Sequence, residues 1–152
     1  MATNVEELIF AIISVRDATA AARKHGDLQT AAVLSDYYTL VAAAVAPMDG
    51  RVVKVMGDGV LVVFPSERFA EAVDGLAVLQ TSATALWSKL DARCRVQVRV
   101  GAGPLVAGSM GPPGDQRYDV YGTALNDLFK EPAHDFVVTS DLARRLKAGH
   151  AV

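Results

Sequence analysis

The sequence predicts an α/β (α+β) domain with a ferredoxin-like β-α-β-β-α-β core, an antiparallel sheet carrying helices on one face. Three observations predict it. A strand–turn–strand pattern occupies Gly50 to Phe64. Long helical patterns, Asp27 to Ala46 and Ser66 to Leu90, lie on either side of it. Strand-like runs, Leu8 to Ser14 and Arg95 to Val100, lie outside those helices.

Size and composition agree with one domain over residues 1–152. Half of the residues are apolar (51%), enough for a sizeable core and too many for a disordered chain. A net charge of −2 gives no polybasic signal for nucleic acid or an anionic membrane, so neither is expected as a partner. Cys94 is the single cysteine, which excludes an internal disulfide and suits a reducing, cytoplasmic setting. Met1 to Glu7 lacks the basic region of a secretory signal. No apolar run approaches the roughly 20 residues needed to span a membrane.

Leu8 to Ser14 is a continuous apolar run of strand length. Asp17 to Lys24 reads as a short helix closed by His25-Gly26, with glycine suited to the C-terminal cap. Asp27 to Ala46 repeats apolar residues at helical spacing, through Ala31, Leu34, Tyr38, Val41 and Val45. Pro47 and Gly50 stop it. In the hairpin, valines dominate both arms, and Gly57-Asp58-Gly59 tolerates the positive φ of a two-residue turn. Lys54 is out of place in that strand, because a charge is rarely buried without a partner.

Ser66 is placed to cap the second long helix, with Phe69, Val73, Leu76, Leu79 and Leu86 on its apolar side. Gly75 either weakens this helix or permits close packing. Arg95 to Val100 alternates as a strand, Gly101 and Gly103 punctuate it, and Leu105 to Ala107 begins another extended segment. Gly111 to Gly114 is a loop. A short strand over Tyr118 to Tyr121, a helix from Thr123 to Lys130, a strand over Phe136 to Thr139 and a terminal helix from Ser140 complete the chain.

Three stretches resemble the catalytic domain of class III adenylate and guanylate cyclases. Val53-Lys54-Val55-Met56-Gly57-Asp58-Gly59 with Val62-Val63-Phe64 is similar to that family's metal-binding hairpin. Gly103-Pro104-Leu105-Val106-Ala107-Gly108 is similar to its glycine-flanked strand. Arg117 to Asn126 resembles its base-recognition strand and the helix that follows. Together they imply the nucleotide cyclase fold from about Leu8 to Lys147.

The resemblance implies chemistry as well. The family cyclises ATP or GTP with two divalent ions, Mg2+ or Mn2+, held by two aspartates. Asp58 matches one of these. The other has no counterpart: alignment puts either Ser14 or Ile12 in its place, and neither is a carboxylate. Lys54 and Asp119 match the residues that contact the purine, a donor and an acceptor suited to adenine. Asn126 matches the residue that orients the ribose. Lys130 stands where the family has an arginine that stabilises charge developing on the phosphate, and lysine lacks the bidentate fork.

The expectation is a cyclase-like domain of cyclic-nucleotide signalling. Its cyclase activity would be weak or absent, with metal and nucleotide held weakly or not at all. It would pair head to tail as a homodimer or heterodimer. Two alternatives stay open: the base-recognising half of an active heterodimeric adenylate cyclase, and a non-catalytic dimerisation module. Plainer readings also stand beside the site assignments. Asp58 could be only a turn residue, Lys54 and Asp119 only an ion pair, and Asn126 only a helix-start residue.

Overall fold

In the computed structural model, which describes residues 2–132 and 134–150, β1 (Asn4–Arg16) is the central strand. It is followed by α1 (Ala18–His25), α2 (Asp27–Val45), a 3₁₀ turn, and the hairpin β2 (Arg51–Met56) and β3 (Gly59–Pro65). A second 3₁₀ turn (Ser66–Arg68) leads into α3 (Phe69–Ser88), then β4 (Arg95–Met110) and β5 (Arg117–Tyr121). The chain closes with α4 (Thr123–Lys130), β6 (Phe136–Val138) and α5 (Ser140–His150).

The sheet runs β2-β3-β1-β4-β5 with antiparallel neighbours. The expected antiparallel core is therefore present, with one addition: β6 pairs parallel with β4 through Val98 to Val100. β4 is long enough to hold β6 beside its first half and β5 beside its second. Gly101 and Gly103 thus lie inside one continuous strand instead of dividing two. They make room on one face. A Cβ on Gly101 would stand 2.8 Å from the Phe10 ring, and one on Gly103 would stand 3.1 Å from the Ala124 Cβ.

β1 is also longer than the apolar run Leu8 to Ser14. Asn4 to Glu7 are polar or exposed and are recruited by backbone pairing with β4, which an apolar pattern does not report.

Period-2 alternation sorts the strands onto two faces. Ile9, Ala11 and Ile13 join Val60, Val62, Phe64 and Val96, Val98, Val100 in the larger core cluster, beneath α1, α2, α3 and α5. Leu8, Phe10 and Ile12 join Leu61, Val63, Leu105 and Ala107 on the other face, covered by Leu125 and Leu128 of α4. The expected one-sided layer of helices holds for α1, α2 and α3, while α4 lies opposite them. In α2 the buried positions are Thr30, Tyr37, Val41 and Val45, so Tyr37 takes the core place expected of Tyr38. With its 3₁₀ extension this helix spans 22 residues, Asp27–Met48, and is long and apolar enough to cross a membrane, contrary to the sequence expectation. Here its apolar side packs on the larger core cluster. Ser66 does not cap α3; its hydroxyl accepts a 2.9 Å hydrogen bond from Arg145, and a 3₁₀ turn leads the chain into the helix. Gly75 serves close packing, because the Met48 thioether occupies the space a Cβ would need.

Candidate functional site

Two of the candidate residues, Lys54 and Asp119, meet where the two ends of the strand order, β2 and β5, approach each other. A β-bulge aims the first of them. Val52 pairs with Val62, but Lys54 pairs with Leu61, so Val53 is an extra residue in the ladder. Val52 packs with the larger cluster, whereas Leu61 belongs to the α4 face. Without the bulge, strict alternation would turn Lys54 to the same side as Val52, under the helices. The sequence showed a misplaced lysine; the bulge explains how it is tolerated.

Lys54 Nζ lies 3.1 Å from Asp119 Oδ1 and 3.2 Å from Oδ2. Asp119 Oδ1 also accepts the Val120 amide at 2.8 Å, which orients the carboxylate. A second contact ties the same two strands: the Arg51 guanidinium lies 3.5 Å from the centre of the Tyr118 ring. Two cavities flank Lys54. One, about 280 Å³ and mostly apolar, is lined by Ile12, Met56, Leu61 and Phe129. The other, about 240 Å³, is lined by Val53, Arg117, Tyr118 and Asp119 among others.

Asp58 occupies the hairpin tip. The turn residues are Gly57 and Asp58, since Met56 pairs with Gly59, and it is Gly57 that takes the positive φ, +56°. Asp58 is therefore not needed for turn geometry. Its Oδ2 accepts the Val15 amide at 2.7 Å. Its backbone carbonyl accepts the Tyr37 hydroxyl at 2.9 Å, and the Tyr38 hydroxyl donates to the Gly57 carbonyl. Burial, with Asp58 nearby, pushes the Tyr37 phenol well above its ordinary range and raises Tyr38 in the same direction.

The end of β1 offers no second carboxylate on this face. Ile12 lines the apolar cavity, and Ser14 is two residues further along the same side of the strand. Asp17 follows β1 in a left-handed conformation (φ +66°), its carboxylate 3.9 Å from Arg16 Nε. Among the described residues, no group of three or more His, Cys, Asp or Glu side chains could hold a metal ion together. The carboxylate at the hairpin tip is that of Asp58, with Oδ2 engaged by the Val15 amide.

Asn126 and Lys130 are exposed on α4, off the face that buries Leu125 and Leu128. Among the described residues, neither side chain makes a hydrogen bond or ion pair, so Asn126 does not cap its helix. The structure joins Lys54 to Asp119; among the described residues Asp58, Asn126 and Lys130 make no hydrogen bond or ion pair with either. The sequence reading gave no site role to Arg51 or Tyr37, and placed Tyr38 on a packing face and Tyr118 in a strand without singling either out. Arg99 had no role there either: its guanidinium donates to the Phe129 and Glu131 carbonyls at 3.1 and 3.2 Å, closing the C-terminal end of α4. An adjacent tyrosine pair in an alanine-rich helix was the one available signal.

The fold agrees with comparison to known proteins. The chain matches the family described as adenylate and guanylate cyclase catalytic domain over residues 2–128. It belongs to that family. Among solved structures it is similar to the adenylyl cyclase CyaB from Pseudomonas aeruginosa, with 15% identity, 97% of this chain and 84% of that chain covered, and a TM-score of 0.87. It is similar to the guanylyl cyclase Cya2, at 18% identity over 96% of this chain and 81% of that one, TM-score 0.85. It is also similar to a class III adenylyl cyclase-like ATP-binding protein from Pseudomonas aeruginosa, at 15% identity over 92% of this chain and 34% of that one, TM-score 0.74. No curated protein sequence matches significantly.

Proposed function

We propose that this cyclase-family domain binds a purine nucleoside triphosphate, adenine in preference to guanine, and that its own homodimer turns it over weakly or not at all. The observation that carries this reading is an imbalance. Lys54 and Asp119 already stand together as a donor and an acceptor beside an apolar cavity. The metal side offers Asp58 alone, and Ser14 or Ile12 replaces the carboxylate that two-cation chemistry needs. Lys130 supplies charge near the phosphates without the bidentate geometry of arginine. A binding or regulatory role in cyclic-nucleotide signalling follows, exercised through a head-to-tail dimer.

The test is an assay of the purified chain with ATP and GTP, in Mg2+ and separately in Mn2+. Product formation near background is expected. Robust turnover that Asp58→Ala abolishes would overturn the reading.

A second reading rests on the same imbalance. The intact base side suits the base-recognising half of a heterodimer whose partner brings both aspartates. Mixing the chain with a metal-competent cyclase domain would then create activity that Lys54→Ala and Asp119→Ala both remove. Calorimetry that shows a stable dimer with no affinity for ATP, GTP or their analogues would favour a dimerisation module instead.

A further inference from the structure

Tyr37 and Tyr38 are consecutive on α2, yet both hydroxyls reach the hairpin tip. Their acceptors are the carbonyls of Asp58 and Gly57, the two residues of the turn. Carbonyls at the tip of a two-residue turn ordinarily face water; these face phenols. A third bond holds the tip from β1. Pairing between β1 and β3 ends at Ile13 and Val60, so the Val15 amide lies beyond the ladder on that side. The Asp58 carboxylate supplies its partner at 2.7 Å. Tyr37 is completely buried and packs edge-on against Trp87, with ring centres 5.6 Å apart, which anchors the donor in the core.

We propose that Tyr37 and Tyr38 are positioning residues: they tie α2 to the hairpin tip and so set where the Asp58 carboxylate and the Lys54 stem stand. Core packing alone does not account for the hydroxyls, because phenylalanine would fill the same space. The consequence is that α2 and the hairpin behave as one body, and a displacement of α2 is transmitted to the nucleotide side of the sheet. That last step rests on the nucleotide-binding reading; the tie itself does not.

The experiment is residue-resolved amide hydrogen exchange on the full chain, comparing wild type with Tyr37→Phe, Tyr38→Phe and the double variant. The expected result is Val15 exchange about tenfold faster in the double variant, the loss of roughly one net hydrogen bond, with mid-sheet amides such as Ile9 and Val98 unchanged. Unchanged Val15 exchange would overturn the proposal. A uniform rise across the sheet would also overturn it, since the tyrosines would then be general stabilisers. Should the double variant fail to fold, Tyr38→Phe, at the less buried position, decides by the same criterion. A fluorescent ATP analogue separates the two layers. Several-fold weaker binding by Tyr38→Phe, with Lys54→Ala as the reference, supports transmission to the site. Absence of binding by wild type would sink the nucleotide reading, while Val15 exchange still decides the tie.

Discussion

At the scale of single residues, the Lys54–Asp119 pair separates a structural from a recognition role by magnitude. Lys54 is more than half exposed (57%), and such ion pairs contribute about 0–1 kcal/mol. Lys54→Ala should therefore change stability by less than about 1 kcal/mol, measured by urea unfolding. The same change should cost most of the affinity for an ATP analogue. A variant that destabilises the fold while leaving affinity intact would identify the pair as a brace. Asp91 has the opposite character. It is buried, and Arg93 donates to it from its guanidinium and its backbone amide, while His25 Nε2 lies 3.3 Å away. The Arg93 guanidinium, foremost among these contacts, holds the Asp91 carboxyl well below its ordinary range. A carboxyl depressed in the folded state adds stability above its unfolded pKa and loses it as pH falls toward the folded value. Asp91→Asn should thus lower Tm at pH 7, and the gap to wild type should narrow as pH drops below about 4. Thermal melts at several pH values check the sign; a gap that widens in acid would contradict it.

At the scale of elements, most of the helices and strands could be read from the chain because their signals are local. Valine-rich arms and a glycine-bearing turn specify the hairpin; three-and-four spacing specifies α2. What escaped was decided by neighbours. β4 runs through Gly101 and Gly103 because the Phe10 ring and α4 need the space that side chains would fill. The bulge at Val53 appears only in the pairing with β3. Gly50 shows how tight these junctions are. A Cβ there would stand 2.7 Å from the Val45 carbonyl oxygen and 2.6 Å from the Phe64 ring. The carbonyl is backbone and cannot swing aside. Gly50→Ala should cost about 1–3 kcal/mol by overpacking the start of the hairpin, read from the urea midpoint. A neutral result would mean that the turn after α2 yields more easily than its contacts imply.

At the scale of the whole molecule, the proposed dimer has exposed apolar residues to cover. Met56 is 86% exposed and Phe129 54%, and both line the cavity beside Lys54. A head-to-tail dimer would cover them and complete the site from two chains. Sedimentation at increasing concentration should show a monomer–dimer equilibrium, and Phe129→Glu should shift it to monomer while far-UV circular dichroism stays unchanged. A monomer at all concentrations would remove the homodimer from the proposal.

The family and the order of most elements were legible in the sequence by itself, and so were Lys54 and Asp119 as candidates, because motifs and periodicity are written in neighbouring positions. Tertiary structure alone decided that Lys54 meets Asp119, that α4 covers the face opposite the other helices, and that two tyrosines grip the hairpin tip. Each of these joins residues far apart in the chain, and their meeting depends on sheet register and twist, which no local pattern encodes.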